Sequence, residues 1–356
     1  MGRLTAQLAA TLLLIGFWLP AAAQIGLIPG TEPIAPVYEQ SDVVCLCVIQ
    51  SVSISAGKPA ADFATSKIIR RQVILQAETR RVYKSDRGDA REFLIQYTED
   101  VGIASPAQTF LKTGDFALLF LKATSPTTYE FADRFMGATR FSVLPGAPNA
   151  GGLSGLETDL AFLTRTQVRQ DSLSALRLLQ AFDSLSPDTS NRVDSLASSR
   201  DPEIAFSALA VLLKASTPSA VEKLRRYLEV YKGNAEPIAL VSIGTELGEI
   251  RDQDALPAIE ALASSRYLAV RYGALQSLRK MRNPQSAPVI VERLDDPDHT
   301  NQYIAMITLA EIFGKYEGDY APSMYLFDKK PQYYISLWKQ WWEQEGKSRY
   351  ATKPND

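Results

Sequence analysis

Between Asp201 and Gly314 the chain carries nearly the same ladder four times: apolar residues at i, i+4, i+8 and i+11, with Asn301 as the one polar rung. The ladders are Ile204, Ala208, Leu212, Ala215; Ala239, Ile243, Leu247, Ile250; Val270, Ala274, Leu278, Met281; and Asn301, Ala305, Leu309, Ile312. A rung every three or four residues is the helical period. The ladders recur at steps of 35, 31 and 31 residues, from 204 to 239, 270 and 301. A helix with one apolar stripe cannot bury it alone, so recurrence at this interval predicts stacked repeats, an α-solenoid. Shorter apolar segments lie between the ladders, at Val221–Val230, Ala255–Ala263 and Ala287–Leu294, so the repeats read as helix pairs.

Ahead of this region the period changes from helical to alternating. Val43–Ile49 is an unbroken apolar run and Ser51–Ser55 alternates, which together predict one long, bent strand. Further strand-like runs occur at Ile68–Val82, Glu92–Tyr97, Phe116–Leu121, Tyr129–Phe131 and Thr139–Leu144. Five or six strands without helical period predict a small antiparallel β-barrel over 41–144. Pro145, Gly146, Pro148, Gly151 and Gly152 mark a linker over 145–155, and the solenoid is expected over 156–346, with a tail at 347–356. Tyr334, Trp338, Trp341 and Trp342 form one aromatic helix face. It is expected to cap the last repeat, with sugar stacking and interfacial membrane contact as the alternatives.

The first residues differ from both regions. Arg3, the apolar run Leu8–Leu19 and Ala21-Ala22-Ala23 have the order of a secretory signal peptide, 1–23, implying a secreted or periplasmic protein. The run is shorter than the roughly 20 residues a membrane helix needs, so no membrane span is expected. Residues 24–40 hold Pro29, Pro33 and Pro36 and read as an extended lead-in. The expected fold class is therefore multidomain: an N-terminal all-β small barrel followed by an all-α, α-α superhelix.

A formal net charge of −2 argues against nucleic-acid binding. The one basic run, Lys67–Arg91, reads as a solvated β-face. A single histidine, His299, and two cysteines argue against histidine-based catalysis and tetrahedral metal sites, and no phosphate-binding glycine loop appears. Gly152-Leu153-Ser154-Gly155 lacks the second glycine of a nucleophile elbow. No catalytic residue, metal or cofactor is expected. Cys45 and Cys47 would share one strand face, as buried free thiols, as a strained disulfide or as metal ligands.

What the repeats offer is surface. Opposite the buried stripe of the third ladder stand Tyr272, Gln276 and Arg279, with Tyr303, Val241 and Phe206 in the column of Tyr272. Tyr272, Gln276, Arg279 and Tyr303 are the candidate binding residues, for a protein or peptide partner.

Two family resemblances extend this reading. Ser41-Asp42-Val43-Val44, Val82-Tyr83-Lys84 and Lys112–Leu119 resemble the netrin-like modules. That resemblance implies an oligonucleotide/oligosaccharide-binding (OB) barrel and, as an alternative function, an inhibitor or ligand-binding module presented by the solenoid. Tissue inhibitors of metalloproteases in that family carry Cys-x-Cys at the mature N-terminus, whereas Cys45-Leu46-Cys47 lies inside this chain. Asp254-Ala255-Leu256-Pro257, Val270-Arg271-x-x-Ala274-x-x-x-Leu278 and Asp296-Pro297-Asp298 resemble HEAT repeats over about 171–315, with Asn301 in place of an apolar first rung. HEAT-like repeats also occur in phycobilin lyases, which gives a lyase-type enzyme as a third reading. The leading expectation is an exported, non-enzymatic scaffold or binding protein.

Overall fold

The computed structural model describes residues 33–59, 69–86, 91–101, 111–133, 138–146, 151–215, 219–233 and 239–350. The expected signal peptide, residues 24–32 of the lead-in, part of the basic run and part of the linker lie outside them. The chain divides into two compact units, Met1–Phe182 and Asp183–Asp356.

The first unit begins with a helix, α1 (Ile34–Gln40), which corrects the expected extended lead-in. Pro36 falls in the first turn, where the helix does not use its N–H, and Ile34 and Val37 are one turn apart and buried. Among the described residues seven strands follow: β1 (Val43–Ile54), β2 (Lys58–Pro59), β3 (Ile69–Ser85), β4 (Glu92–Val101), β5 (Phe116–Ala123), β6 (Thr128–Phe131) and β7 (Ala138–Phe141). β1 pairs antiparallel with both β3 and β5, and the pairings run β1-β3-β4-β6-β5. β4 and β6 pair in parallel through Leu94 and Ile95, which corrects the purely antiparallel expectation. Three irregularities in the β1–β3 register, the last between Ile49 and Ser51, bend the long strand between its two halves.

Val43, Cys45, Cys47 and Ile49 join Leu75, Phe93, Ile95, Leu119 and Leu121 in one core. Val44, Leu46, Leu118 and Phe120 on the opposite face are buried as well, which is why the β1 run is apolar without alternation. Both cysteines are free and fully buried, with sulfurs 3.0 Å apart. Burial, followed by the hydrogen bond with Cys47, pushes the Cys45 thiol well up.

Two helices, α2 (Gly152–Leu163) and α3 (Arg169–Gln180), belong to this unit rather than to the repeats. Buried carboxylates tie them to the strands. Asp159 accepts two 2.8 Å hydrogen bonds from Arg81 and one of 2.7 Å from the Tyr83 hydroxyl. Asp171 accepts from the backbone N–H of Ser142 at 2.8 Å. Tyr83 is raised above its ordinary value by burial and then by the Asp159 charge, so its phenol stays a donor.

Among the described residues of the second unit the regular structure is helical. Its elements are α4 (Pro187–Leu196), α5 (Pro202–Lys214), α6 (Ala220–Val230), α7 (Ala239–Leu247), α8 (Leu256–Leu262), α9 (Leu268–Met281), α10 (Ala287–Glu292), α11 (His299–Phe313), α12 (Met324–Lys329), α13 (Pro331–Trp341) and α14 (Lys347–Tyr350). α5, α7, α9 and α11 carry the four ladders, and α6, α8 and α10 are the shorter partners. Asp201 and Asp298 cap α5 and α11 by accepting from backbone N–H groups one turn in.

Asn301, the polar first rung of α11, is fully buried. It donates at 3.4 Å to Asp296, whose carboxylate is held by Arg271 at 2.7 and 3.1 Å. The ion pair is buried on both sides and joins α9 to the turn before α11. Trp338, Trp341 and Trp342 are buried too, with Trp338 donating to the Tyr320 carbonyl at 2.9 Å. That burial removes the aromatic face that sugar stacking or an interfacial contact would need. Phe206 also departs from expectation: it is buried and packs edge-on against Tyr227 and Tyr231, so it offers no exposed rung.

Candidate functional site

The middle of the repeat unit is built around α9, which packs between α7 and α11. Glycine permits the α7 contact: a Cβ on Gly273 would meet the Gly244 carbonyl oxygen at 2.4 Å and the Gly244 Cα at 2.9 Å. The two backbones therefore touch. Ser277, one turn on, donates to the Leu247 carbonyl.

Beside this crossing, Val241 is 48% exposed and Tyr272 38% exposed. Gln276 donates to the Tyr272 hydroxyl at 3.0 Å. Arg279 donates to Glu311 of α11 through Nε at 2.8 Å. That bond holds the guanidinium above its ordinary pKa, with smaller contributions from Tyr303 and Tyr272. Tyr303 is half-buried: its hydroxyl donates to the Pro322 carbonyl at 3.3 Å and its ring lies 5.5 Å from Phe327. The structure thus gathers Tyr272, Gln276 and Arg279 on one side of α9. It places Tyr303 within electrostatic reach but packed against the segment after α11.

At the C-terminal end of α9 this side opens into a cleft of about 470 Å³, lined by Arg251, Gln276, Arg279, Lys280, Arg282 and Glu311. Four cations face one carboxylate. Lys280 reaches Glu249 at 2.5 Å, and Arg282 stands 3.9 Å from Glu311. Among the described residues Arg251 has no ion-pair partner.

Arg282 is the C-cap of α9 in the left-handed conformation, φ 50°, ψ 34°, and among the described residues it is the only non-glycine with positive φ. α11 ends in the same conformation at Gly314, φ 65°. Glycine is the usual residue there, and an L side chain costs on the order of 1 kcal/mol. Arg251 and Arg282 each follow the last rung of a ladder, Ile250 and Met281, where a 3.6-residue period assigns no face; Lys280 and Glu311 each precede a last rung and stood outside the column of Tyr272. The basic run Arg279-Lys280-Met281-Arg282 was the available signal.

Helix pairs stacked at a regular step, locked by a buried Arg–Asp pair, define a solenoid-like repeat region. The family model for HEAT repeats matches residues 229–310, which include all four candidate residues. No curated protein matches the chain. A crystal structure of an engineered protein from the Northeast Structural Genomics Consortium is similar at 20% identity, covering 44% of this chain and 47% of that one, with a TM-score of 0.32. The chain thus spans about half the length of that protein, and the likeness carries no argument about fold or function.

Proposed function

We propose that this is an exported, non-enzymatic binding or scaffold protein whose HEAT-repeat region recognises a protein or peptide segment along the Tyr272–Gln276–Arg279 side of α9. The observation that carries this reading is the cleft of about 470 Å³ on that side, bounded by α9 and α11 and continued by exposed Tyr272 and Val241. An aromatic residue beside a partly exposed arginine is a composition enriched at protein interfaces. The order of residues 1–23 supports export to a secreted or periplasmic location. The sheet of the first unit reads as an OB-type barrel, because its pairings lead from β1 through β3, β4, β6 and β5 back to β1.

The test is a peptide array probed with the whole chain and with Tyr272→Ala. Tyr272 is partly exposed and its loss should leave the fold intact, so a melting temperature within about 2 °C of the parent is the control. Binding to selected peptides should weaken about tenfold, the usual cost of removing an interface aromatic. Unchanged binding would remove α9 from the site. Binding retained by Tyr272→Ala but lost on substitution in the sheet would favour the alternative, a ligand-binding module presented by the repeats.

A further inference from the structure

The same side of α9 carries more positive charge than its helices require. Arg279 and Lys280 sit in the last turn, where a cation complements the roughly half-unit negative charge of a helix C-terminus. Arg282, the C-cap of α9, is a third cation at the same helix end, and Arg251, a few residues past α7, is a fourth that belongs to no helix end. Arg282 also holds the backbone conformation that Gly314 has at the end of α11, yet keeps a side chain that lines the cleft, its guanidinium 3.9 Å from Glu311. A side chain kept where the backbone disfavours it points to a role for the side chain. The chain as a whole is slightly acidic, at −2, so this cleft is a local reversal of sign.

Resting on the recognition reading above, we infer that the partner segment is acidic. Its carboxylates enter the cleft against Arg251, Arg279 and Arg282, and its neighbouring apolar residue lies on Tyr272. Arginine suits this role because its planar fork accepts a carboxylate in two parallel bonds. Glu311 orients Arg279 and stands at 3.9 Å from Arg282, while Arg251 has no ion-pair partner among the described residues and is open to the ligand. A nucleic-acid backbone fits less well. It needs a continuous basic track, whereas Glu249 and Glu311 interrupt the charge here and the chain has no basic excess.

The experiment uses the full chain and fluorescence anisotropy. The labelled probes are an oligoglutamate of about eight residues, roughly 26 Å extended, an oligoserine and an oligolysine of equal length, and a single-stranded oligothymidylate. At low salt, oligoglutamate should bind at least about tenfold more tightly than oligoserine, with oligolysine weakest, and the preference should fade toward about 0.5 M salt as screening shortens. Arg282→Gly suits the left-handed cap and keeps the fold; it should cost about fivefold in oligoglutamate affinity. Arg251→Glu with Arg282→Glu should cost about fiftyfold, whereas Arg192→Glu on α4 should change nothing.

Equal affinity for oligoserine and oligoglutamate would overturn the inference, as would tighter binding of oligothymidylate or indifference to both cleft variants. The two readings fail separately. Tyr272-dependent peptides with no acidic preference would sink the charge assignment and leave the recognition site standing. Absence of peptide binding of any composition would sink both.

Discussion

Each unit is held by a buried carboxylate that receives an arginine, but the two carboxylates act over different chain distances. Asp159 receives Arg81 and Tyr83, 78 and 76 residues away, and ties a helix to a strand. Asp296 receives Arg271, only 25 residues away, and ties one repeat to the next. The second bond can form as soon as two neighbouring helix pairs have stacked. The first closes a loop about three times as long, which costs the chain more entropy. The repeat unit is joined mainly between successive repeats, whereas the sheet unit adds distant closures such as the β1–β5 pairing of Val43 with Leu121.

Removing the carboxylates is the strongest way to break this comparison. Asp296→Ala leaves Arg271 buried without its partner and should cost about 3–5 kcal/mol. Of the four tryptophans, Trp338, Trp341 and Trp342 lie in the repeat unit and Trp18 in the expected signal peptide, so tryptophan emission of the chain from residue 24 reads the loss there, while the strand signal should survive. Asp159→Asn keeps the shape and one acceptor. It should cost about 2–3 kcal/mol, with the strand signal lost first and tryptophan emission spared. Loss of both signals together in either variant would show that the units fold as one.

Smaller effects sharpen the repeat side. Gly273→Ala forces a methyl against the Gly244 carbonyl and should destabilise by about 1–3 kcal/mol in a denaturant melt, since backbone cannot swing aside as a side chain can. An unchanged midpoint would mean that α7 and α9 are not in backbone contact. Arg282→Gly should act in the opposite direction, raising stability by up to about 1 kcal/mol as the left-handed cap relaxes. A loss instead would mean that the arginine supports the fold rather than the cleft.

The same contrast explains what could be read in advance. The ladders of α5, α7, α9 and α11 were legible because helical period and repeat step are local properties of sequence. Asn301 looked like a worn rung, whereas it is a buried partner of Asp296; a ladder scores polarity and cannot see the group it bonds. Phe206 was placed in an exposed column by helical geometry alone, but Tyr227 and Tyr231 cover it from the next helix and its following turn. In the sheet, the β1 run announced burial on both faces without saying what covers it. α2 and α3 follow the Gly/Pro linker and so fall within the span 156–346 expected for the solenoid. Asp159 and Asp171, which assign them to the sheet, are single polar residues with no periodic signal. Of the candidate site, Tyr272, Gln276 and Arg279 followed from helix geometry, and the cations at the helix ends did not.

Hydrogen exchange of the full chain with and without labelled oligoglutamate tests the central claim most directly. The account predicts added protection in the last turns of α9 and α11 and at Arg251, with the strands unchanged. Protection confined to the strands, or none at concentrations where anisotropy reports binding, would contradict it.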